Sequence, residues 1–348
     1  MQIIRYSAER RTEWDNFVEG SKNGTFLFLR GYMDYHSDRF ADHSLMFYSE
    51  KGMLLSVLPA NEKGDERGLC LYSHQGLTYG GFVLGETTGS AFVMELFDCT
   101  ISYLRELGFK LWYYKQMPSV YHRCPAEEDE YALWRHNAIM DSCLISTAIP
   151  LNGAKLFPEV ERRRLRGARR AKEAGLRIVE DGDLAEFWPI MEDNLMSRYS
   201  VVPVHTLDEM RLLQSRFPDK IKCFMVEGVE EVEGVDGVES VEGVDGVEEV
   251  DGVDGFEKRW LAGCIVYIAN DACVHIQYGH ATPEGKKAGA LDLLYLHLID
   301  KYKDDGYCYL DFGNSNEQGG WYLNENLIAQ KEGFGGRGIA YKRYELSI

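Results

Sequence analysis

Three side chains in the last quarter of the chain, His280, Asp311 and Tyr322, are of the types that take and give protons in general acid–base chemistry. Group-transfer chemistry of this kind needs a base for the attacking group, an acid for the departing one and a donor for any charge developing on oxygen. His280 closes a strand at 275–280 whose other polar members are His275, Gln277 and Tyr278, and histidine is the side chain type best suited to proton transfer near neutral pH. Asp311 stands at the end of a second strand, 307–313, where open α/β sheets present ligands. The same residue also suits a cap for the turn at 313–316. Tyr322 and Tyr341 are both candidates for the acid, and nothing in the sequence chooses between them.

Between the two strands lies a turn rich in small residues, with Gly285, Lys286, Lys287, Ala288, Gly289 and Ala290 following Tyr278. Backbone N–H groups left bare at the positive end of a helix hold phosphate or pyrophosphate. These seven residues are therefore the expected binding set for a phosphorylated acyl carrier. An ordinary βαβ crossover with a small-residue turn has the same appearance. A helix at 291–302 follows, with apolar residues at 291, 293, 294, 296, 298 and 299 forming a core-facing stripe.

The elements that position this site occur twice. A strand from 68 runs into a Gly-rich turn ending at Gly81, followed by a helix at 88–107, a strand at 110–115, a helix at 127–137 and a strand at 139–149. The same order recurs roughly 200 residues later with negligible identity, which makes it a repeat of fold-sized units. The expected architecture is α/β with mixed sheets, in two domains at 1–152 and 153–348.

The residues 278–290, 310–313 and 330–335, with the basic run at 162–178, resemble the GNAT acyltransferase superfamily. The whole chain is similar to its tandem-domain branch related to the Fem aminoacyltransferases. The usual GNAT phosphate signature begins with Gln or Arg and ends with Gly or Ala, whereas Lys286 and Leu291 hold those places here. The resemblance implies two tandem GNAT-like domains, with the acyl group in a gap between the strands at 275–280 and 307–313. It implies acyl-CoA or acetyl-CoA as donor, carried by the second domain. The acceptor, a cell-envelope or polysaccharide precursor that is a small molecule or is lipid- or nucleotide-linked, lies between the domains. Arg30, Tyr35, Tyr79, Asn316 and Lys331 are the residues expected to touch it. The Fem branch also implies a rival donor, aminoacyl-tRNA, and a non-catalytic binding module is a third reading.

The net charge of −18 disfavours nucleic acid as a partner, and DNA is excluded from the expected partners. Thirteen acidic and no basic residues fall within 227–257, so the rest of the chain is only mildly acidic. Within that stretch Val recurs every third residue, which matches neither the strand nor the helix period, so no apolar face forms. The expectation is a disordered insertion at a hairpin tip, where long loops are tolerated. The basic run holds Arg162, Arg163, Arg164, Arg166, Arg169, Arg170, Lys172 and Arg177. It reads either as an anion-binding face or as a solvated helix bridging the domains. Eight scattered cysteines without a Cys-x-x-Cys pair predict reduced thiols and no metal site. With no signal-peptide pattern and no transmembrane run, a cytoplasmic location is expected.

Overall fold

A computed structural model describes residues 1–153, 159–199, 201–231 and 256–348. Eleven of the described strands form one mixed sheet. Its five central members, in spatial order, are Cys273–Ala281, Tyr309–Asn314, Ile139–Pro150, Arg337–Ser347 and Leu111–Lys115. Phe256–Ile268, Ile221–Glu231 and Arg177–Glu180 extend one wing, and Gly68–Tyr72, Asn61–Asp65 and Ala41–Asp42 extend the other. A second sheet of four strands holds Gln2–Arg5, the hairpin Leu45–Tyr48 with Leu54–Leu58, and Val83–Leu84.

The element order follows the sequence reading closely. The helices lie at Ser90–Glu106, Glu128–Arg135 and Ala290–Asp304, each within a few residues of its expected place. Each half also carries the same short parallel contact. Gly68–Tyr72 pairs with Leu111–Lys115 through Cys70, Leu71 and Tyr72, and Cys273–Ala281 pairs with Tyr309–Asn314 through Cys273, Val274 and His275. The halves are not closed units, because their last strands are exchanged. Ile139–Pro150 lies against Tyr309–Asn314 of the second half, while the C-terminal strand Arg337–Ser347 lies against Leu111–Lys115 of the first. The sheet thus runs unbroken across residue 152.

Apolar side chains at helical spacing fix the layer over the second half. Leu293, Leu294, Leu298, Ile299 and Tyr302 of Ala290–Asp304 are buried with Ala168 and Ala171 of the helix Arg162–Glu173. The opposite layer gathers Phe187 and Met191 of the helix Leu184–Tyr199, Met210 and Leu213 of Leu207–Arg216, and Trp14, Phe26 and Phe28 from the N-terminal segment. N- and C-terminal residues therefore share one core.

Two expectations are corrected. The small-residue turn is a six-residue helix, Pro283–Ala288, capped by the Thr282 hydroxyl, which accepts a hydrogen bond from the Gly285 amide at 3.0 Å. Its amides are used within the chain, with Lys286 N–H bonded to the Thr282 carbonyl and Gly289 N–H to that of Gly285. The small residues also allow close packing. A Cβ at Gly285 would lie 2.1 Å from the Leu261 carbonyl oxygen, and Ala290 is wholly buried. The acidic stretch is also shorter than expected at both ends. The hairpin ladder runs on to Glu231 opposite Phe256, because backbone pairing propagates without an apolar face. The remainder of the expected insertion, 232–255, lies outside the described residues.

Candidate active site

Cys273–Ala281 and Tyr309–Asn314 are in register only at Cys273 with Tyr309, Val274 with Leu310 and His275 with Asp311. Beyond that third pair the strands part. The outer neighbour of the first strand contributes to the divergence: Ile265 faces Tyr278 and Val266 faces Ile276, which leaves Gln277 as an extra, bulged residue. The gap opens into a cleft of about 1190 Å³. One wall carries His275, Gln277, Tyr278 and His280, and the other carries Asn314, Asn316, Asn324 and Lys331. Leu195, Val201 and Val204 supply an apolar rim, and Lys286, Gly289 and Asp292 line the end nearest the short helix.

Beneath the cleft floor lies a fully buried carboxylate. Asp311 Oδ2 accepts from Tyr121 at 2.5 Å and from the hydroxyl of Tyr341, and His275 Nδ1 stands 3.0 Å away. Oδ1 accepts from Ser146 at 2.5 Å and from the Gly313 amide at 3.0 Å. Burial works against ionisation, but the hydrogen bond and charge of His275, with the hydroxyls of Ser146 and Tyr121, outweigh it. The Asp311 carboxyl is held well below the usual carboxylate range. The two tyrosine hydroxyls lie 2.8 Å apart. Burial, then the charge of Asp311, lifts both well above the usual phenol range, so both remain donors. Tyr121 comes from the first half of the chain and Ser146 from the exchanged strand. The cluster is therefore assembled from both halves.

Lys331 reaches the same place from the helix Glu325–Glu332. Its ammonium donates to the carbonyls of Gly313 at 2.8 Å and Asn314 at 2.7 Å. Burial brings it down to about 8, against the favourable charge of Asp311. On the facing wall Tyr278 Oη meets His205 Nδ1 at 2.8 Å. Burial lowers His205 to about 4, so it is a neutral partner.

The structure brings Tyr278, His280, Lys286, Gly289, Asn316 and Lys331 to the cleft walls. Others fall elsewhere. Asp311 is 0% exposed and cannot touch a reacting atom. Tyr322 is half exposed on the short strand Tyr322–Leu323, outside the cleft walls, and Lys287 is exposed. Gly285 and Ala290 are buried packing positions, and Ala288 is half buried beside them. Arg30 is buried between Asp34 and Asp42, with its guanidinium 3.8 Å from the centre of the Tyr6 ring. Tyr35 packs on His36 and His205, and Tyr79 is buried beside Tyr121, its hydroxyl 3.3 Å from that of Thr25. These three first-half residues do not line the cleft. The sequence reading missed His275 as the partner of Asp311, and it missed Tyr121 and Ser146. A lone Asp within an apolar strand was the available signal, since a buried charge needs partners.

No family model and no curated protein matches the chain. Solved structures do. A crystal structure of FemX matches with a TM-score of 0.70 and 12% identity, over 100% of this chain and 98% of its own. L-PGS from Bacillus licheniformis matches with a TM-score of 0.57 and 13% identity, over 98% of this chain and 92% of its own. A tandem GNAT protein from the clavulanic acid biosynthesis pathway gives 0.54 and 10%, over 99% and 98%. The chain has the tandem GNAT-like fold of the Fem-related acyltransferases.

Proposed function

We propose that this protein is an acyltransferase moving an acyl group from a carrier thioester, acyl-CoA, to an amine or hydroxyl of a cell-envelope or polysaccharide precursor. The observation that supports it is the parting of two parallel strands after His275 and Asp311, into a cleft large enough for an acyl carrier and an acceptor together. Such a gap receives the reacting carbonyl between a wall of polar side chains and a lysine ammonium, which favours charge developing on oxygen. The acceptor enters along the Asn314, Asn316 and Lys331 side, and the carrier along Tyr278, Lys286 and Gly289.

Aminoacyl-tRNA is the second reading, and two observations favour it. Asp292 lines the cleft in the first turn of Ala290–Asp304, where a pyrophosphate would stand, with Arg164 on it at 3.0 Å. Arg162, Arg166 and Arg169 lie exposed on the adjoining helix Arg162–Glu173.

Thermal shift separates these readings. Millimolar coenzyme A or acetyl-CoA is expected to raise the melting temperature through binding to the folded state, and tRNA binding at physiological salt is expected to be undetectable. Sub-micromolar, salt-sensitive tRNA binding that is lost on changing Arg162, Arg166 and Arg169 to Gln would install the aminoacyl donor instead. Absence of both responses would favour a binding module.

A further inference from the structure

The acyl-transfer reading requires a base for the acceptor. We propose that His275 is the general base of this cleft, acting through Nε2, with Asp311 as its positioning residue. The inference rests on that reading and deepens it.

Asp311 is ionised and can only accept, so the neutral imidazole keeps its proton on Nδ1, 3.0 Å from Oδ2. Nε2 is then the nitrogen with a lone pair. His275 lines the cleft, with 11% of its side chain exposed. Its outer edge is covered by a glycine: a Cβ added at Gly313 would lie 3.3 Å from Cε1 and 3.8 Å from Nε2. Tyr121, Tyr341, Ser146 and the Gly313 amide hold the carboxylate from its other sides, so it cannot turn away from the ring. The titratable groups around the ring are Asp311, Tyr121 and Tyr341, with Lys331 beyond the Gly313 carbonyl.

The step balances without another reagent. The acceptor N–H or O–H gives its proton to Nε2 as its nitrogen or oxygen bonds to the acyl carbon. The carbon–sulfur bond breaks with its electron pair on sulfur, and the imidazolium returns the proton to that thiolate. Between the two transfers Asp311 stabilises the imidazolium, as the aspartate does in Ser-His-Asp triads.

One arm of the test needs no turnover. Nitrogen-15 NMR of the wild-type chain above neutral pH should show the His275 proton on Nδ1, and Asp311→Asn should move it to Nε2. A wild-type proton on Nε2 overturns the inference whatever the activity. In the kinetic arm, His275→Gln with acyl-CoA should lower kcat on the order of 100- to 10,000-fold. It should also remove the acidic limb of the kcat/KM profile. The KM for the donor should change by less than about threefold. Retained rate with an unchanged profile overturns the assignment. If Asp311→Asn does not fold, Tyr341→Phe, which removes one hydrogen bond, should lower kcat about 3- to 10-fold and shift the same limb; an unmoved limb counts against the assignment. A wild-type chain inactive with every thioester sinks the acyl-transfer reading, and the tautomer measurement still decides the dyad.

Discussion

Gly289 and Gly167 pack backbone to backbone: a Cβ at Gly289 would come within 2.4 Å of the Gly167 carbonyl oxygen. The contact seats the basic helix on the start of Ala290–Asp304, and Gly289 itself is left-handed at φ 88°. Gly289→Ala is expected to cost about 2–4 kcal/mol, combining left-handed strain with overpacking. Gly306→Ala, also left-handed but with nothing within 4 Å of the new methyl, should cost only about 1–2 kcal/mol. Urea unfolding of the pair would reveal the difference, and equal losses would mean that the helices do not touch there.

Lys331 makes stability depend on alkaline pH. Its folded-state value of about 8 lies below the unfolded 10.5, so the unfolded chain binds more protons in that window. Stability from this group therefore rises as pH climbs from about 8 to about 10, on the order of 2–3 kcal/mol. The stability of the wild-type chain relative to Lys331→Met should rise by that amount across the interval. A pH-independent difference would show that the ammonium is not desolvated.

Asp129 acts with the opposite slope. Burial lifts its carboxyl to about 6, against hydrogen bonds from Tyr114 at 2.8 Å and Gln116 at 3.1 Å. The folded chain binds more protons than the unfolded one above the ordinary 3.8. Its contribution is present at acid pH and lost as pH rises from about 4 to about 6, on the order of 2–3 kcal/mol. Stability relative to Asp129→Asn, measured by urea unfolding across that range, should fall accordingly.

The acidic hairpin can be shortened. Glu231 already pairs with Phe256, so replacing residues 232–255 by Asn-Gly joins adjacent ends with a favoured turn. Stability should stay within about 1 kcal/mol, because loop-closure entropy changes only slowly with length. A larger loss would assign the segment a packing role.

The sequence carried the fold further than the site. Apolar stripes and glycine stops placed Ser90–Glu106, Leu111–Lys115 and Ala290–Asp304 almost residue by residue. The strand exchange was not legible, since Ile139–Pro150 and Arg337–Ser347 would carry the same alternation beside either neighbour. The pairing of His275 with Asp311 depends on a parallel register that no local pattern encodes. Tyr121 is 190 residues from the carboxylate it serves. At 285–290 the small residues were legible, but not the neighbouring backbone of Leu261 and Gly167 against which Gly285 and Gly289 lie.

The exchange of last strands also sets a schedule for biosynthesis. Leu111–Lys115 leaves the ribosome with one edge unpaired and waits for Arg337–Ser347, about 220 residues behind it. At ordinary rates of translation that interval is roughly 10 to 45 seconds. Through that time this edge of the nascent first half lacks the strand that covers it in the folded chain. Emergence of Arg337–Ser347 is then the event that completes the sheet.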